Sequence, residues 1–120
     1  MTVELRISGG KKLKSPKGIH TRPTTSRVRE SLMDILRSKL IGSSLLDLFS
    51  GSGVIGCEAL KNGASKILAV EKDNKIAIIC KENLLSTKSY LPEKKYIGVI
   101  KNDVISFLEK GCERLQVKGF

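Results

Sequence analysis

The sequence of 120 residues is long enough for a single domain with one modest hydrophobic core. Its hydrophobic content of 40% is typical of an ordinary folded protein and argues against a disordered one. No apolar run approaches the roughly 18 residues that a membrane-spanning helix needs. The first residues also lack the apolar core of a signal peptide, so we expect a cytoplasmic protein without a membrane partner.

Positive charge is concentrated in the first third of the chain. The formal net charge is +10, and residues 1–40 contribute +7 of it through ten Lys or Arg side chains and three acids. This asymmetry predicts a polyanionic partner such as RNA, although a solvated basic surface would give the same pattern. The candidate RNA-binding residues are Lys11, Lys12, Lys14, Lys17, Arg22, Arg27 and Arg29.

The same segment predicts a hairpin and then a helix. Residues 3–7 alternate apolar and polar side chains, and the lysine-rich residues 11–18 predict a second short strand with a loop. This basic hairpin can lie along a phosphate backbone, but it has no aromatic side chain for stacking on bases. After Pro23, Thr24 or Thr25 can cap a helix. Its predicted apolar face is Val28, Leu32, Ile35, Leu36 and Leu40, with Arg27, Arg29, Glu30 and Asp34 on other faces.

The centre of the chain predicts a strand, a glycine-rich turn and a helix. Residues 45–49 are a short apolar run that suits a buried parallel strand, and a helix follows from Val54 to Lys61. Between them, Gly51 and Gly53 allow positive φ and let a ligand approach the backbone. The amides at the start of the helix can receive an anionic group.

Two further strand–helix units follow, which together predict an α/β fold with a parallel sheet. The predicted strands are Lys66–Glu71 and residues 96–100. The first of the two helices begins at Asp73 or Asn74, runs to about Ser86 and buries Ile76, Ile79, Cys80 and Leu84. The second covers residues 104–109 after an Asp103 cap, with an apolar face of Val104, Phe107 and Leu108. We expect residues 1–43 to form a basic extension and residues 44–120 the α/β domain.

All three predicted strands end in polar residues. These are Asp47 before the turn, Glu71, and the pair Asn102 and Asp103. Ligands of open α/β sheets lie beyond the carboxyl ends of the strands, where Glu71 can accept both hydroxyls of a ribose. Asp103 can equally well have no role beyond capping its helix.

This turn has three interpretations. It binds S-adenosylmethionine, it binds a dinucleotide, or it is a plain strand-to-helix turn without a ligand. The spacing Gly51-x-Gly53-x-x-Gly56, with Glu71 twenty residues after Gly51, satisfies the fingerprint of dinucleotide binding. However, a carboxylate at Asp47 would repel a pyrophosphate and would attract an ammonium group. S-adenosylmethionine carries an ammonium, a sulfonium and a carboxylate, so the sequence favours S-adenosylmethionine over NAD.

The remaining reactive side chains predict neither a metal site nor a nucleophile. Cys57, Cys80 and Cys112 have no Cys-x-x-Cys spacing, and His20 is the only histidine. Cys57 and Cys80 fall on predicted helix faces, where thiols are usually inert parts of a core.

The residues of the turn and the first segment together resemble a known family. The stretch Asp47-Leu-Phe-Ser-Gly-Ser-Gly53, with Glu71 and Asp103, is similar to the class I S-adenosylmethionine-dependent methyltransferases. Arg6-Ile-Ser-Gly-Gly10 and Arg22-Pro-Thr-Thr-Ser-Arg-Val-Arg-Glu-Ser-Leu32 resemble the RsmD-type enzymes, which methylate guanine N2 in small-subunit ribosomal RNA.

This resemblance implies a Rossmann-like fold and a set of roles. The region from Asp47 to Gly53 would hold the methionine part of the cofactor, Glu71 the ribose and Asp103 the adenine amino group. The cofactor-binding residues so implied are Asp47, Phe49, Gly51, Ser52, Gly53, Glu71, Asn102 and Asp103. The basic segment would meet ribosomal RNA or the small-subunit particle.

The resemblance stops before one motif of such enzymes. They hold the target amine with Asp/Asn-Pro-Pro-Phe/Tyr after a fourth strand, whereas the prolines here are Pro16, Pro23 and Pro92. We therefore expect a fold truncated after its third strand, with no assigned catalytic residue. The alternative is a non-catalytic RNA-binding or assembly module with a vestigial cofactor pocket. The strand of residues 45–49 would then have an open edge, which predicts a homodimer, a second polypeptide or a cover by the last residues.

Overall fold

The computed structural model describes residues 5–7, 12–15, 25–48 and 50–117 of the chain. Helices and strands alternate from α1 onward, as the sequence predicts. In chain order the elements are β1 (Leu5–Arg6), β2 (Lys12–Leu13), α1 (Ser26–Leu40), β3 (Ser44–Asp47), α2 (Val54–Lys61), β4 (Lys66–Glu71), α3 (Asn74–Tyr90), β5 (Tyr96–Lys101) and α4 (Val104–Val117). None of the helices in these ranges is long and apolar enough to cross a membrane.

The central sheet is parallel and has the strand order β3-β4-β5. Leu45 of β3 lies opposite Ile67 of β4, and Ile67 in turn lies opposite Ile97 of β5. All three strands therefore end at the same edge of the sheet. The predicted α/β architecture with a parallel sheet is confirmed.

The predicted basic hairpin is present where the structure describes it. β1 and β2 pair antiparallel, with Leu5 opposite Leu13 and Arg6 opposite Lys12. Leu13 and Ile7 are buried and belong to the same apolar cluster as Leu60 and Leu84 of the α/β unit. The hairpin is therefore packed onto the core and does not project from it.

Helix α2 packs tightly between β4 and α3. Cys57 and Ala59 of α2 are fully buried, as are Cys80 and Leu84 of α3. A Cβ placed on Gly56 would lie 2.9 Å from Leu84 Cδ2 and 3.0 Å from Ile67 Cγ2. Only a glycine lets α2 approach both neighbours so closely. The prediction that Cys57 and Cys80 are core thiols is confirmed.

The predicted apolar face of α1 is wrong in part. Val28 and Ile35 are 53% and 75% exposed, whereas Arg29 and Met33 are buried with Leu40. The helix is rotated so that positions 29, 33 and 40 face the core. Arg29 can take a core-facing position because its long aliphatic stem packs inside while its guanidinium donates to the Arg6 carbonyl. The N-cap prediction is confirmed for Thr25, whose Oγ1 accepts a hydrogen bond of 3.3 Å from the Val28 amide.

The last two helices are longer than predicted. α3 continues beyond Ser86 to Tyr90, and α4 runs well past residue 109 to Val117. In α4, Phe107 is buried as predicted, but Leu108 is 47% exposed. The apolar spacing in residues 104–109 therefore predicted that a helix forms there, but it predicted only part of the buried face of α4.

We predict that Gly56→Val destabilises the protein by about 1–3 kcal/mol, because the added methyl groups overpack the contact of α2 with Ile67 and Leu84. Chemical denaturation followed by circular dichroism measures this change. Lys81→Val, at an exposed position of α3, is the matched control for placing a β-branched residue in a helix. Equal stability losses in the two variants would contradict the packing argument.

Candidate functional site

The glycine turn between β3 and α2 is a compact loop with two left-handed residues. Gly51 has φ 49° and Gly53 has φ 84°. The Gly53 amide donates a hydrogen bond of 2.8 Å to the Ser50 carbonyl, and the Cys57 amide donates one of 2.9 Å to the Gly53 carbonyl. Gly53 is the N-cap of α2 and supplies no side chain to its first turn. The first turn of α2 thus lacks a side-chain cap, as do helix starts at which anionic groups bind in other proteins.

Two neighbouring elements hold this turn in place. The Ser50 amide and hydroxyl donate hydrogen bonds of 3.3 Å and 3.2 Å to the Val70 carbonyl on β4. From α3, Asn83 Nδ2 donates a hydrogen bond of 2.8 Å to the Ser52 carbonyl. The turn is therefore anchored to both β4 and α3 by hydrogen bonds.

The two glycines serve different purposes. A Cβ on Gly51 would meet no atom within 4 Å, so this position faces open space. A Cβ on Gly53 would lie 3.0 Å from Cys80 Sγ and 3.3 Å from the Cys80 carbonyl. Gly53 is therefore required by packing against α3, whereas Gly51 leaves a path by which a ligand can reach the backbone.

The strand-end acids lie at the same edge as the turn. Asp47 lies opposite Ala69, two residues before Glu71 on the adjacent strand, and both acids are half-buried. Glu71 Oε2 accepts a hydrogen bond of 2.9 Å from the Asp73 amide, which fixes the carboxylate beyond the strand. The Asn102 amide donates to the Glu71 carbonyl at 3.1 Å and brings the end of β5 alongside.

Cys80 lies under this edge, close to Ser50 and within the electrostatic influence of the two strand-end acids. Burial raises the pKa of the Cys80 thiol to about 11, the hydrogen bond with Ser50 lowers it, and the charges of Asp47 and Glu71 raise it. Both carboxylates therefore act on one thiol beneath the turn. The thiol stays protonated at neutral pH, so Cys80 is a packing group there and not a nucleophile.

Asn102 and Asp103 form the start of α4. Asp103 is exposed, and its Oδ1 accepts a hydrogen bond of 2.9 Å from the Ser106 amide. Hydrogen bonds from Ser106 lower the pKa of Asp103, so its carboxylate is ionised at neutral pH. Asn102 Oδ1 accepts from the Asp103 amide at 2.9 Å. The capping role predicted for Asp103 is confirmed, and its contact with a ligand stays a prediction.

The predicted RNA-binding residues separate into three groups. Lys12, Lys14 and Arg27 are exposed, and Lys14 Nζ forms an ion pair of 2.6 Å with Glu82. Arg29 is only 7% exposed, and its Nη2 donates a hydrogen bond of 2.7 Å to the Arg6 carbonyl. Arg29 thus supports the hairpin from below and does not present its charge at the surface. Lys11, Lys17 and Arg22 lie outside the described residues, as does Phe49 of the cofactor set.

Asn83 is a residue of this site that the sequence argument missed. It is 2% exposed in the middle of α3 and binds both the turn and the hairpin. A signal was present, because residues 76, 80, 83 and 87 recur at helical spacing on the buried face. A carboxamide on an apolar face requires hydrogen-bond partners inside the protein.

The described residues contain no group of three or more His, Cys, Asp or Glu side chains that could hold a metal ion.

Comparison with known proteins identifies the family. Residues 5–117 match the family model described as Conserved hypothetical protein 95. Escherichia coli K12 has a relative named "Ribosomal RNA small subunit methyltransferase D", which is 34% identical over 113 residues. The chain belongs to this RsmD-like family.

A second relative agrees with this membership. In Bacillus subtilis strain 168, the protein YlbH, named as a candidate rRNA methyltransferase, is 38% identical over 111 residues. The match to YlbH covers 90% of this chain and 58% of the relative, and the match to the E. coli enzyme covers 90% and 54%. The chain thus spans little more than half the length of the curated RsmD-like relatives it matches.

Solved structures show the same fold. An E. coli structure titled as a candidate methyltransferase, YhhF, matches with a TM-score of 0.72 and 34% identity. That match covers 88% of this chain and 57% of the other. A structure of a Thermus thermophilus protein matches with a TM-score of 0.66 at 33% identity, over 85% of this chain and 55% of that one. The three-stranded sheet is therefore part of a Rossmann-like methyltransferase fold.

Proposed function

We propose that the glycine turn and the three strand ends bind S-adenosylmethionine. The observation that supports this most is the open side of Gly51, next to a helix start without a side-chain cap and two half-buried acids. An anionic group and a cationic group can bind there side by side, as an amino-acid carboxylate and ammonium require. The proposed cofactor residues are Asp47, Phe49, Gly51, Ser52, Gly53, Glu71, Asn102 and Asp103.

Each part of the cofactor has a complementary group at this edge of the sheet. The amides after Gly53 would receive the methionine carboxylate, and Asp47 would attract the ammonium directly or through water. Glu71, held by the Asp73 amide, would accept the ribose hydroxyls, and Asp103 would accept from the adenine amino group. A dinucleotide fits less well, because its pyrophosphate would lie near the carboxylate of Asp47.

We propose methylation of a guanine exocyclic amine in small-subunit ribosomal RNA as the activity in which this domain takes part. The names of the E. coli and B. subtilis relatives support an rRNA methyltransferase. The bound cofactor supplies the methyl group, and the protein contributes mainly proximity and orientation of the reacting atoms. We assign no residue of this chain to the target base, because the sequence contains no Asp/Asn-Pro-Pro motif.

A second candidate function is a non-catalytic RNA-binding or assembly module that retains the cofactor pocket, and the exposed basic side chains of Lys12, Lys14 and Arg27 would serve it equally well. A methyl-transfer assay on small-subunit particles, run beside cofactor calorimetry, separates the two functions. Methyl transfer supports the enzyme, whereas cofactor binding and RNA binding without transfer support the module.

We predict that Glu71→Ala weakens binding of S-adenosylmethionine by about 1–3 kcal/mol, because it removes hydrogen bonds to a charged acceptor. Gly51→Val should abolish binding, since its side chain fills the open approach and a β-branched residue is strained at the φ of 49°. Calorimetry with S-adenosylmethionine, with NAD as the competing ligand, measures both effects. Glu93→Ala, at an exposed position away from the strand ends, is the matched control. Full affinity in both site variants, or preferential binding of NAD, would contradict the assignment.

We also propose that the basic segment, with its exposed Lys12, Lys14 and Arg27, binds RNA through its phosphates. RNA affinity should then fall steeply with salt, and replacing Lys11, Lys12 and Lys14 together by Ala should flatten that dependence. Each lost phosphate contact lowers the slope of log K against log salt by about 0.7–0.9. Filter binding over a salt series measures the slope.

The control for this prediction removes the same charge elsewhere. Lys75, Lys94 and Lys110 are exposed on other parts of the chain, so their triple Ala variant lowers the net charge equally. If the two triple variants change the slope by the same amount, the basic segment has no specific part in RNA binding.

The outer edge of β3 offers a further site of association. Within the described residues, β3 pairs with β4 on one side and with no strand on the other. Unpaired strand edges associate with other chains. We infer that two copies of this chain associate across β3, although a second polypeptide could occupy the same edge.

We predict that light scattering finds a dimer, and that Leu46→Lys returns it to a monomer because a charge at an edge strand blocks pairing. Leu46 suits this test because it is half-exposed in the middle of β3. Ile41→Lys places the same charge at a position that is 81% exposed outside the strand, and it should leave the dimer intact. A monomer whose β3 amides are protected in hydrogen exchange would refute self-association.

A further inference from the structure

The buried carboxamide of Asn83 connects two segments that are far apart in sequence. Its Oδ1 accepts a hydrogen bond of 2.8 Å from the Lys14 amide, and its Nδ2 donates one of 2.9 Å to the Lys14 carbonyl. The same Nδ2 donates the bond of 2.8 Å to the Ser52 carbonyl in the glycine turn. One side chain therefore binds both backbone groups of the residue after β2 and one backbone group of the cofactor turn.

Geometry and burial make this contact a strong constraint. Asn83 is 2% exposed, so a lost partner would leave a polar group without water to replace it. Both amide hydrogens and the oxygen of the carboxamide are used in the three bonds. A shift of the Ser52 peptide would therefore require Asn83, and with it the Lys14 backbone, to adjust.

The ion pair beside this contact does not explain the docking of the hairpin. Lys14 Nζ and Glu82 Oε2 are 2.6 Å apart, but their side chains are 67% and 44% exposed. Exposed pairs of this kind contribute little because solvent screens them. The hairpin is held at this point by its backbone, and the charge of Lys14 is not required for that.

We propose that Asn83 is a positioning residue that couples cofactor binding to the placement of the basic hairpin. A ligand bound to the turn restricts the Ser52 peptide, and Asn83 transmits this restriction to the Lys14 backbone. The end of β2 becomes more ordered when the cofactor is bound. If the bound cofactor raises RNA affinity by a given factor, thermodynamic reciprocity requires that RNA bound to the hairpin raises cofactor affinity by the same factor. This inference rests on the proposed cofactor site and on the proposed RNA surface.

The first test is hydrogen exchange at the Lys14 amide, whose proton is the one donated to Asn83. In the unsubstituted chain, saturation with S-adenosylhomocysteine should slow this exchange about fivefold or more, which is the lower end of common coupling factors. In Asn83→Ala, exchange at Lys14 should be fast and the cofactor should no longer change it. Unchanged exchange at Lys14 in the unsubstituted chain with cofactor bound would overturn the inference.

Two control variants separate coupling from general loss of stability. Thr87→Val removes the bond of 2.9 Å from the Thr87 hydroxyl to the Asn83 carbonyl, and it leaves the Asn83 carboxamide in place. Glu82→Gln removes the ion pair with Lys14 and leaves the backbone bonds. Both variants should keep the cofactor effect on Lys14. Loss of that effect in Glu82→Gln would show that the charge pair, and not Asn83, makes the connection.

The second test measures the coupling itself. RNA affinity is determined with and without S-adenosylhomocysteine, and the ratio should be about fivefold or more in the unsubstituted chain and near one in Asn83→Ala. A purely structural role would lower both affinities and leave the ratio unchanged, which would refute the proposal. If Asn83→Ala does not fold, hydrogen exchange at the Lys14 amide in the unsubstituted chain and in the two control variants still tests the proposal.

The outcomes also distinguish this inference from the proposed function. If S-adenosylhomocysteine does not bind the unsubstituted chain, the cofactor assignment fails and the coupling fails with it. If it binds but leaves Lys14 exchange and RNA affinity unchanged, the cofactor assignment stands and only the role of Asn83 is refuted.

Discussion

The structure depends on how one irregular stretch, the turn from Ser50 to Gly53, satisfies its backbone groups between a helix and β3, which is half-buried and not buried as the sequence predicts. A turn in this position exposes amides and carbonyls near the core, and unpaired groups there are costly. Val70 receives both hydrogen bonds from Ser50, and Asn83 supplies the partner for Ser52. β4 and α3 must therefore stand at fixed distances from the turn.

The same constraint explains where glycine is needed. Gly53 must be left-handed and must pass within contact distance of Cys80, and Gly56 must let α2 approach Ile67 and Leu84. These two glycines are required by the fold. Gly51 is different, because its surroundings are open and only its backbone angle favours glycine. Gly51 is thus the glycine of the turn at which an added Cβ would face open space.

Sequence periodicity predicted the α/β order, the parallel sheet and the position of the strand-end acids, because apolar runs and capping residues are local signals. It failed where a polar side chain is buried. Arg29 and Asn83 both lie inside, and each forms hydrogen bonds with a backbone group from a distant segment. Only the tertiary fold brings these hydrogen-bond partners together, so no local sequence pattern predicts them. The error in the buried face of α1 has the same origin, since apolar spacing assigns no place to a buried arginine.

Arg29 and Asn83 are buried polar residues, and both hold the hairpin against the rest of the fold. Arg29 binds the Arg6 carbonyl and Asn83 binds the Lys14 backbone, so the hairpin is fastened at both strands by main-chain contacts. The exposed ion pair of Lys14 with Glu82 contributes little by comparison, because solvent screens it. The docking of the hairpin therefore depends on main-chain groups, and the side chains of Lys12 and Lys14 remain exposed at the surface.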